Sequence, residues 1–199
     1  MMRTRRLSWL VLIGSICVTL LCEVAVAQGP PVARSPWRII GFGTTLGAGY
    51  WVAKAGDIKV SGVPIFVADL WVDVSVTRRV TLQAWFPVLH MALFNRLFSG
   101  KTFWMQLFAK IYPLRDNAGL YVAPGAGFIY LKQGSASAVV PEIALQLGWE
   151  FSNVSRWFGF TLGVRPWLDI IKTTAGTSAT AVGFGITGEL GFHFYVVTR

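Results

Sequence analysis

The residues of this sequence best suited to chemistry are charged side chains that recur at alternate positions. Six carboxylates, one arginine and one lysine fall on the polar side of segments in which apolar and polar residues alternate. Charges that leave water must be paired. The pattern therefore predicts a polar network centred on Arg165, with Glu142 and Asp169 in the same half. Its predicted members are Asp69, Asp73, Arg79, Lys110, Glu142, Gln146, Glu150, Arg165, Asp169, Glu189 and His193.

The two histidines give little support for catalysis. A histidine that acts as a general base needs a nucleophile within hydrogen-bonding reach. His193 is followed by Phe194 and Tyr195, and His90 has only Ser99 nearby. The sequence therefore predicts a protein that is not an enzyme, with no catalytic residues.

Cofactor and metal sites are not expected either. Cys17 and Cys22 lie in an N-terminal segment that is predicted to be removed, which leaves no thiolate ligand and no disulfide. Two histidines on separate strands form a weak metal-binding set. The Gly-Phe-Gly sequences at 41–43 and 183–185 are not followed by a helix, as phosphate-binding loops are.

The N-terminus has the features of a secretory signal peptide. Arg3, Arg5 and Arg6 precede an apolar run at 9–21, and a small-x-small sequence follows at 25–27. The run is short against the roughly 20 residues of a spanning helix, so cleavage after Ala27 is predicted rather than a retained anchor. Residues 28–36 are predicted to be a periplasmic leader and 37–199 a single domain.

The composition of that domain is apolar and basic. The chain has 199 residues, of which 54% are hydrophobic and 14% charged, more apolar than an ordinary soluble domain. Without the three arginines and Glu23 of the signal peptide, 15 basic and 8 acidic residues give a net charge of +7. In an exported protein such a charge does not imply nucleic-acid binding, because basic residues at the ends of membrane strands can contact lipid phosphates.

Eight segments alternate with the period of two that is typical of a β-strand. The alternation is clearest at 141–151, where Ile143, Leu145 and Leu147 are separated by polar or small residues. The connections at 53–62, 90–100 and 172–180 are predicted to be loops. The eight predicted strands are 37–50, 63–76, 79–89, 101–112, 119–131, 141–151, 157–170 and 181–197.

The two sides of these strands distinguish a soluble fold from a membrane fold. One side of every strand is mostly Leu, Ile, Val, Phe or Ala, whereas the other collects glycines, small residues and the six carboxylates. An eight-stranded barrel is only wide enough inside for side chains, and eight rows of large apolar groups would overfill it. Apolar groups that face lipid and polar groups that face the lumen satisfy both constraints. The predicted fold is an all-β, eight-stranded antiparallel up-and-down transmembrane β-barrel.

The connections fall into two classes, because those at 77–78, 113–118 and 152–156 are short and the others are mostly longer. With this pattern the sequence resembles the small eight-stranded outer-membrane barrels of the OmpA, OmpX and OmpW type over 37–197, by architecture rather than by a motif. The resemblance implies a monomer in a Gram-negative outer membrane, contact with lipid and lipopolysaccharide, and insertion by the barrel-assembly machinery. Such barrels usually end on an aromatic residue, whereas here Tyr195 is followed by four more residues.

Several functions are open to such a barrel. The network could neutralise and pack a closed lumen in a structural protein, or it could line a narrow, cation-preferring pore, because acids outnumber bases inside. Lipid modification is the least expected, since lipid A deacylases of this size have a His and a Ser close together on a strand. Surface binding of lipopolysaccharide or of a partner would use the basic residues in or beside the external loops, which are Lys54, Lys59, Arg96, Lys101, Lys132 and Lys172.

Overall fold

The structure is a computed structural model that describes residues 38–55, 57–98, 100–115, 118–151, 157–173 and 179–198. The predicted signal peptide at 1–27 and leader at 28–36 lie outside the described residues, and both stay predictions. No helix among the described residues is long and apolar enough to cross a membrane.

Strands dominate the described chain. They are β1 (Arg38–Ala55), β2 (Ile58–Gly62), β3 (Ile65–Ser75), β4 (Val80–Phe86), β5 (Lys101–Ile111), β6 (Gly119–Gln133), β7 (Ala136–Phe151), β8 (Phe158–Thr173) and β9 (Ala179–Thr198). One helix, α1 (Val88–Phe98), lies between β4 and β5.

These strands form one antiparallel sheet that closes on itself. From β3 to β9 each strand pairs with the next, and β1 pairs with both β3 and β9. Strand β2 pairs with β1 only, from Trp51 opposite Gly62 to Ala55 opposite Ile58. Eight strands therefore close the barrel, and the predicted eight-stranded antiparallel fold is confirmed. Closure supplies backbone partners at both edges of the sheet.

Two predicted loops are wrong. Residues 53–62 form a hairpin, because β1 continues to Ala55 and β2 returns beside it. Residues 90–100 belong mostly to α1, which also shortens the predicted third strand so that it ends at Phe86. Pro87 directly precedes the helix, and its carbonyl accepts the Met91 amide at 3.0 Å. Helix α1 is apolar on most sides, so it lacks the alternation of polar and apolar residues that would have revealed it.

The register of β3 slips once. Thr45 lies opposite Asp69, but the next residue, Leu46, lies opposite Val67. Ala68 is therefore the extra residue of a β-bulge, which reverses the alternation of the strand beyond it.

Elsewhere the outer surface is apolar, as predicted. Leu82, Leu107, Ile143 and Leu162 are all half exposed, whereas the residues beside them, such as Gln83 and Gln106, are buried inside the barrel. The lumen contains a cluster of aromatic and small residues, which are Trp71, Trp85, Phe108, Tyr112, Tyr121, Ala123, Ala144 and Trp167.

Inward glycines make room for these rings. A Cβ atom at Gly185 would meet the ring of Trp167, and one at Gly125 would meet the ring of Phe108. The glycine-rich sides of β1, β6 and β9 are therefore packing positions, which agrees with their prediction as lumen wall.

Candidate functional site

The lumen has two ends, defined here by their connections. The turn end contains the turn at 76–79, and the helix end contains α1, the β1–β2 hairpin and the β6–β7 turn at Gly134, which has a φ of 59°. Three groups of polar side chains are spaced between these ends.

The group at the turn end surrounds Lys110. The Nζ atom of Lys110 lies 3.8 Å from Asp73 Oδ2 and 3.9 Å from Glu150 Oε2. On the other side of Asp73, His193 Nδ1 lies 3.4 Å from the same Oδ2 atom. Lys110 is 2% exposed and His193 is 0% exposed, so this group is a buried cluster in which one lysine pairs with two carboxylates.

Two tyrosines complete the turn-end group. The hydroxyls of Tyr112 and Tyr195 donate to separate oxygens of Glu150, each at 2.6 Å. Lys110 also lies over the ring of Tyr121, 5.1 Å from its centroid. Each oxygen of Glu150 thus accepts a hydrogen bond from within the barrel wall.

The central group is built on Arg165, which is 1% exposed. Its Nε atom lies 2.6 Å from Glu189 Oε1, and its Nη1 atom donates to Gln106 Oε1 at 2.9 Å. The guanidinium carbon lies 3.8 Å from the centroid of Trp85, a distance at which a cation–π contact forms. Thr187 donates its hydroxyl to Glu189 Oε1 at 3.0 Å. The arginine therefore lies across the lumen, fixed on three sides.

Little space remains around these two groups. The cavity between them measures about 10 Å³, which is the space for about one water molecule. It is lined by Thr45, Trp71, Gln83, Trp85, Lys110, Tyr121, Gln146, Thr161, Glu189 and His193. The middle of the lumen is filled by side chains.

The helix end is different, because it contains a cavity of about 570 Å³. Its walls are inward side chains of β1, β5, β6, β7 and β8, and α1 contributes His90 and Leu93. Most of the lining is apolar: Trp51, Gly62, Val63, Pro64, His90, Leu93, Thr102, Trp104, Ile129, Leu131, Val140, Glu142, Trp167, Asp169 and Ile171. The volume is in the range of small-molecule sites.

Two carboxylates lie in this cavity. Glu142 and Asp169 are directly opposite each other on β7 and β8, and they are 2% and 5% exposed. Glu142 Oε2 accepts the Trp104 indole N–H and, at 3.1 Å, the Gln106 amide. Asp169 Oδ2 accepts the indole N–H of Trp51 at 2.9 Å and of Trp167 at 3.2 Å. The second oxygen of each carboxylate accepts no hydrogen bond from an amide, indole or hydroxyl group, and the two carboxyl groups lie within hydrogen-bonding distance of each other.

A histidine and an aspartate lie beside the cavity. His90 Nδ1 is 3.6 Å from Asp69 Oδ1, and its ring is 6.2 Å from that of Trp104 in an edge-on arrangement. The sequence predicts His90 to be an interface or loop residue, and the structure places it in α1 and against the cavity.

The structure divides the predicted network into these groups. Gln106 connects two of them, because it accepts from Arg165 and donates to Glu142. Gln146 is buried against the small cavity, whereas Arg79 is exposed in the turn before β4, where its carbonyl accepts the Tyr112 amide at 2.9 Å.

Five aromatic residues that donate hydrogen bonds to the network were not among the predicted site residues. Most of them fall on the polar side of their strands and carry an N–H or O–H group, which is the signal that could have revealed them. They are Trp51, Trp104, Tyr112, Trp167 and Tyr195.

The predicted basic residues gather at the helix end. Lys54 lies directly opposite Lys59 on the β1–β2 hairpin, and Lys101 lies directly opposite Lys132 on β5 and β6. These four lysines are exposed, as is Arg96 in the last turn of α1. Lys172 lies in β8 opposite Thr180, so its position is in a strand rather than in a loop.

Comparison with known proteins gave similar solved structures. No protein-family model matches the sequence, and no curated protein matches it. The chain is similar to Neisserial surface protein A, with 11% identity, a TM-score of 0.40, and coverage of 78% of this chain and 97% of that one.

Two further similar structures are of outer-membrane proteins. For AlkL in lipid bilayers the identity is 12%, the TM-score 0.45 and the coverage 86% and 98%. For OprG from Pseudomonas aeruginosa the identity is 12%, the TM-score 0.40 and the coverage 82% and 99%. The strand pairing itself defines the fold as a small eight-stranded antiparallel barrel.

Proposed function

We propose that the chain is an integral outer-membrane barrel whose lumen is closed, with a structural role in the membrane. The outer surface supports membrane insertion, because the outward residues of the strands are apolar around the whole barrel. Stacked aromatic pairs near the turn end, such as Phe151 with Phe160 at 4.5 Å and Phe42 with Phe194 at 5.6 Å, suit a membrane interface.

The observation that carries the closed lumen is the position of Arg165. The guanidinium group lies against Trp85 and Glu189 in the middle of the barrel, where about 10 Å³ of free space remains. A cation-preferring pore would need both Arg165 and Lys110 to move, because two buried cations repel a permeating cation. The closed lumen is therefore favoured over the narrow pore.

Planar-bilayer recording tests this proposal. The mature chain is refolded, its heat-modifiable migration on gels is used to verify a folded barrel, and its conductance is compared with that of Arg165→Ala. We expect no discrete steps from the wild-type protein. Cation-selective steps from the wild-type protein that change in Arg165→Ala would overturn the closed lumen in favour of the pore.

A non-enzymatic role agrees with the two histidines. His193 is completely buried beside Asp73, where no substrate can reach it. His90 borders the large cavity, but none of the described residues that line that cavity is a serine or a cysteine. Incubation of the folded protein with labelled lipopolysaccharide, followed by analysis of the lipid, should therefore show no cleaved product.

A second candidate function is lipopolysaccharide contact at the helix end. Like charges directly opposite each other destabilise a sheet, and two such lysine pairs occur there, Lys54 with Lys59 and Lys101 with Lys132. Anionic phosphates would offset this repulsion. The arrangement also favours an orientation in which the helix end faces outward and the turn end faces the periplasm. This orientation is tested by labelling whole cells that carry Asp57→Cys or Thr77→Cys with an impermeant thiol reagent. Only the Asp57→Cys variant should react.

A further inference from the structure

We propose that the cavity at the helix end binds a small organic ammonium ion, with its apolar body between the indole rings and its charged group on Glu142 and Asp169. This inference goes beyond the structural role. Conductance measurements test whether the lumen is closed, whereas binding measurements test whether the cavity takes a ligand. The failure of either proposal therefore does not affect the other.

The first argument is the uncompensated charge. Among the side chains that the structure describes, no lysine, arginine or histidine lies within ion-pairing distance of Glu142 or Asp169, whereas Lys110 and Arg165 pair with the carboxylates of the turn-end and central groups. The donors on these two carboxylates are neutral indoles and an amide. A buried carboxylate pair without a cation is unfavourable unless a ligand or a shared proton neutralises it.

The second argument concerns the second oxygen of each carboxylate. Glu142 Oε1 and Asp169 Oδ1 are buried and accept no hydrogen bond from an amide, indole or hydroxyl group, although the two carboxyl groups lie within hydrogen-bonding distance of each other, and both residues line a cavity with room for a small molecule. The Thr102 hydroxyl, which borders the same cavity, has no hydrogen-bond partner. A primary ammonium group has three N–H donors and no acceptor, so it can donate to both carboxylates and to the Thr102 hydroxyl oxygen.

The third argument selects an organic cation over a metal ion. Hard divalent cations take about six or more oxygen ligands, and no group of three or more metal-ligating residues occurs among the described residues. The remaining lining is apolar and includes Trp51, Trp104 and Trp167. Indole faces attract organic cations, and apolar walls stabilise the body that carries the charge.

Calorimetric titration of the refolded mature protein in uncharged detergent micelles tests the proposal, after subtraction of the heat from protein-free micelles. The probe is 2-phenylethylammonium, and the neutral comparison is 2-phenylethanol. We expect the ammonium probe to bind about tenfold or more tightly to the wild-type protein than to Glu142→Gln/Asp169→Asn. The alcohol should bind weakly and equally to both.

Asp57→Asn is the matched control, because it removes an exposed carboxylate at the same end of the barrel. Its affinity for the ammonium probe should equal that of the wild-type protein. Glu142→Gln alone replaces the double variant if the latter does not show heat-modifiable migration.

Three results would overturn the proposal. Equal affinity of the wild-type protein for the ammonium ion and the alcohol would reduce the cavity to an apolar pocket. Absence of binding by both probes would mean that a proton shared between the carboxyl groups neutralises the pair. Displacement of the probe by millimolar Ca²⁺ but not by Na⁺ would make the pair a hard-cation site.

Discussion

The two halves of the lumen handle buried charge in opposite ways. Towards the turn end, Lys110 and Arg165 lie among Asp73, Glu150 and Glu189, and about 10 Å³ of space is left. Towards the helix end, Glu142 and Asp169 face a cavity of about 570 Å³ and receive hydrogen bonds from neutral donors only.

This difference separates stability from binding within one barrel. Ion pairs and stacked rings that fill the lumen hold the wall together, because breaking a buried pair leaves a charge without a partner. Glu142 and Asp169, which border the large cavity, are held in place by neutral donors of the wall and form no ion pair with a described side chain. We call the part of the lumen around Lys110 and Arg165 the filled half, and the part around Glu142 and Asp169 the open half. Substitutions are expected to lower the free energy of unfolding more in the filled half than in the open half.

The largest effect is expected in the filled half, from Arg165→Met. Removal of the guanidinium leaves Glu189 buried without its cation and Trp85 without its stacking partner. The free energy of unfolding should fall by about 3–5 kcal/mol. Urea unfolding in lipid vesicles, followed by tryptophan fluorescence, measures the change.

The double variant Arg165→Met/Glu189→Gln separates charge from packing. It should recover a substantial part of the lost stability, because no unpaired carboxylate remains. A loss below about 1 kcal/mol for the single variant would contradict the view that the central group holds the lumen.

The next effect is steric and compares two glycines of β9. A side chain at Gly185 would meet the Trp167 ring, whereas a Cβ at Gly188 would meet nothing within 4 Å. Gly185→Val should therefore lower the free energy of unfolding by about 1–3 kcal/mol, as overpacking does. Gly188→Val should leave it unchanged or raise it, since β-branched residues favour strands. Equal effects of the two substitutions in the same urea titration would show that the Trp167 ring moves to accommodate a side chain at position 185.

The same kind of substitution, Glu to Gln, can be compared directly between the open half and the filled half. Glu142→Gln removes a charge that has no ion-pair partner among the described side chains, and it retains an acceptor for Trp104 and Gln106. The free energy of unfolding should stay unchanged or rise by up to about 1 kcal/mol. Glu189→Gln, which takes the anion from Arg165, should lower it by about 1–3 kcal/mol. A larger loss from Glu142→Gln than from Glu189→Gln would mean that the two halves do not differ in this way.

The direction of most side chains followed from the sequence, because the period of a strand is fixed by backbone geometry. Glu142, Asp169 and Arg165 were predicted to point inward and are all buried in the lumen. The prediction missed the β-bulge at Ala68, because an argument from the period of two does not reveal an extra residue in a strand. It failed at α1 because an apolar segment between two strands carries neither a period of two nor a polar face.

The partners of those side chains did not follow from the sequence. Arg165 was expected near Glu142 and Asp169, yet its contacts are Glu189, Trp85 and Gln106, the last of which is 59 residues away. Such contacts depend on the register of strands that are distant in sequence and on the rotamers of large rings. The cavity is equally hidden, since it exists where α1 and the β1–β2 hairpin cover the barrel instead of the predicted loops.

The smallest effect is expected at the exposed rim of the helix end, where lysines lie opposite each other in contact with solvent. Lys101 and Lys132 are directly opposite each other, so Lys132→Gln should raise the free energy of unfolding by about 0.2–1 kcal/mol at low salt. The gain should disappear near 1 M salt, where screening acts within about 3 Å. The same substitution in a Lys101→Gln background should give almost no gain.

If lipopolysaccharide phosphates occupy the rim, Lys132→Gln should lower the free energy of unfolding in vesicles that contain lipopolysaccharide, because Lys132 then contributes an attraction instead of a repulsion. An unchanged gain in those vesicles would separate the rim from lipid binding and leave the lysines as a solvated edge.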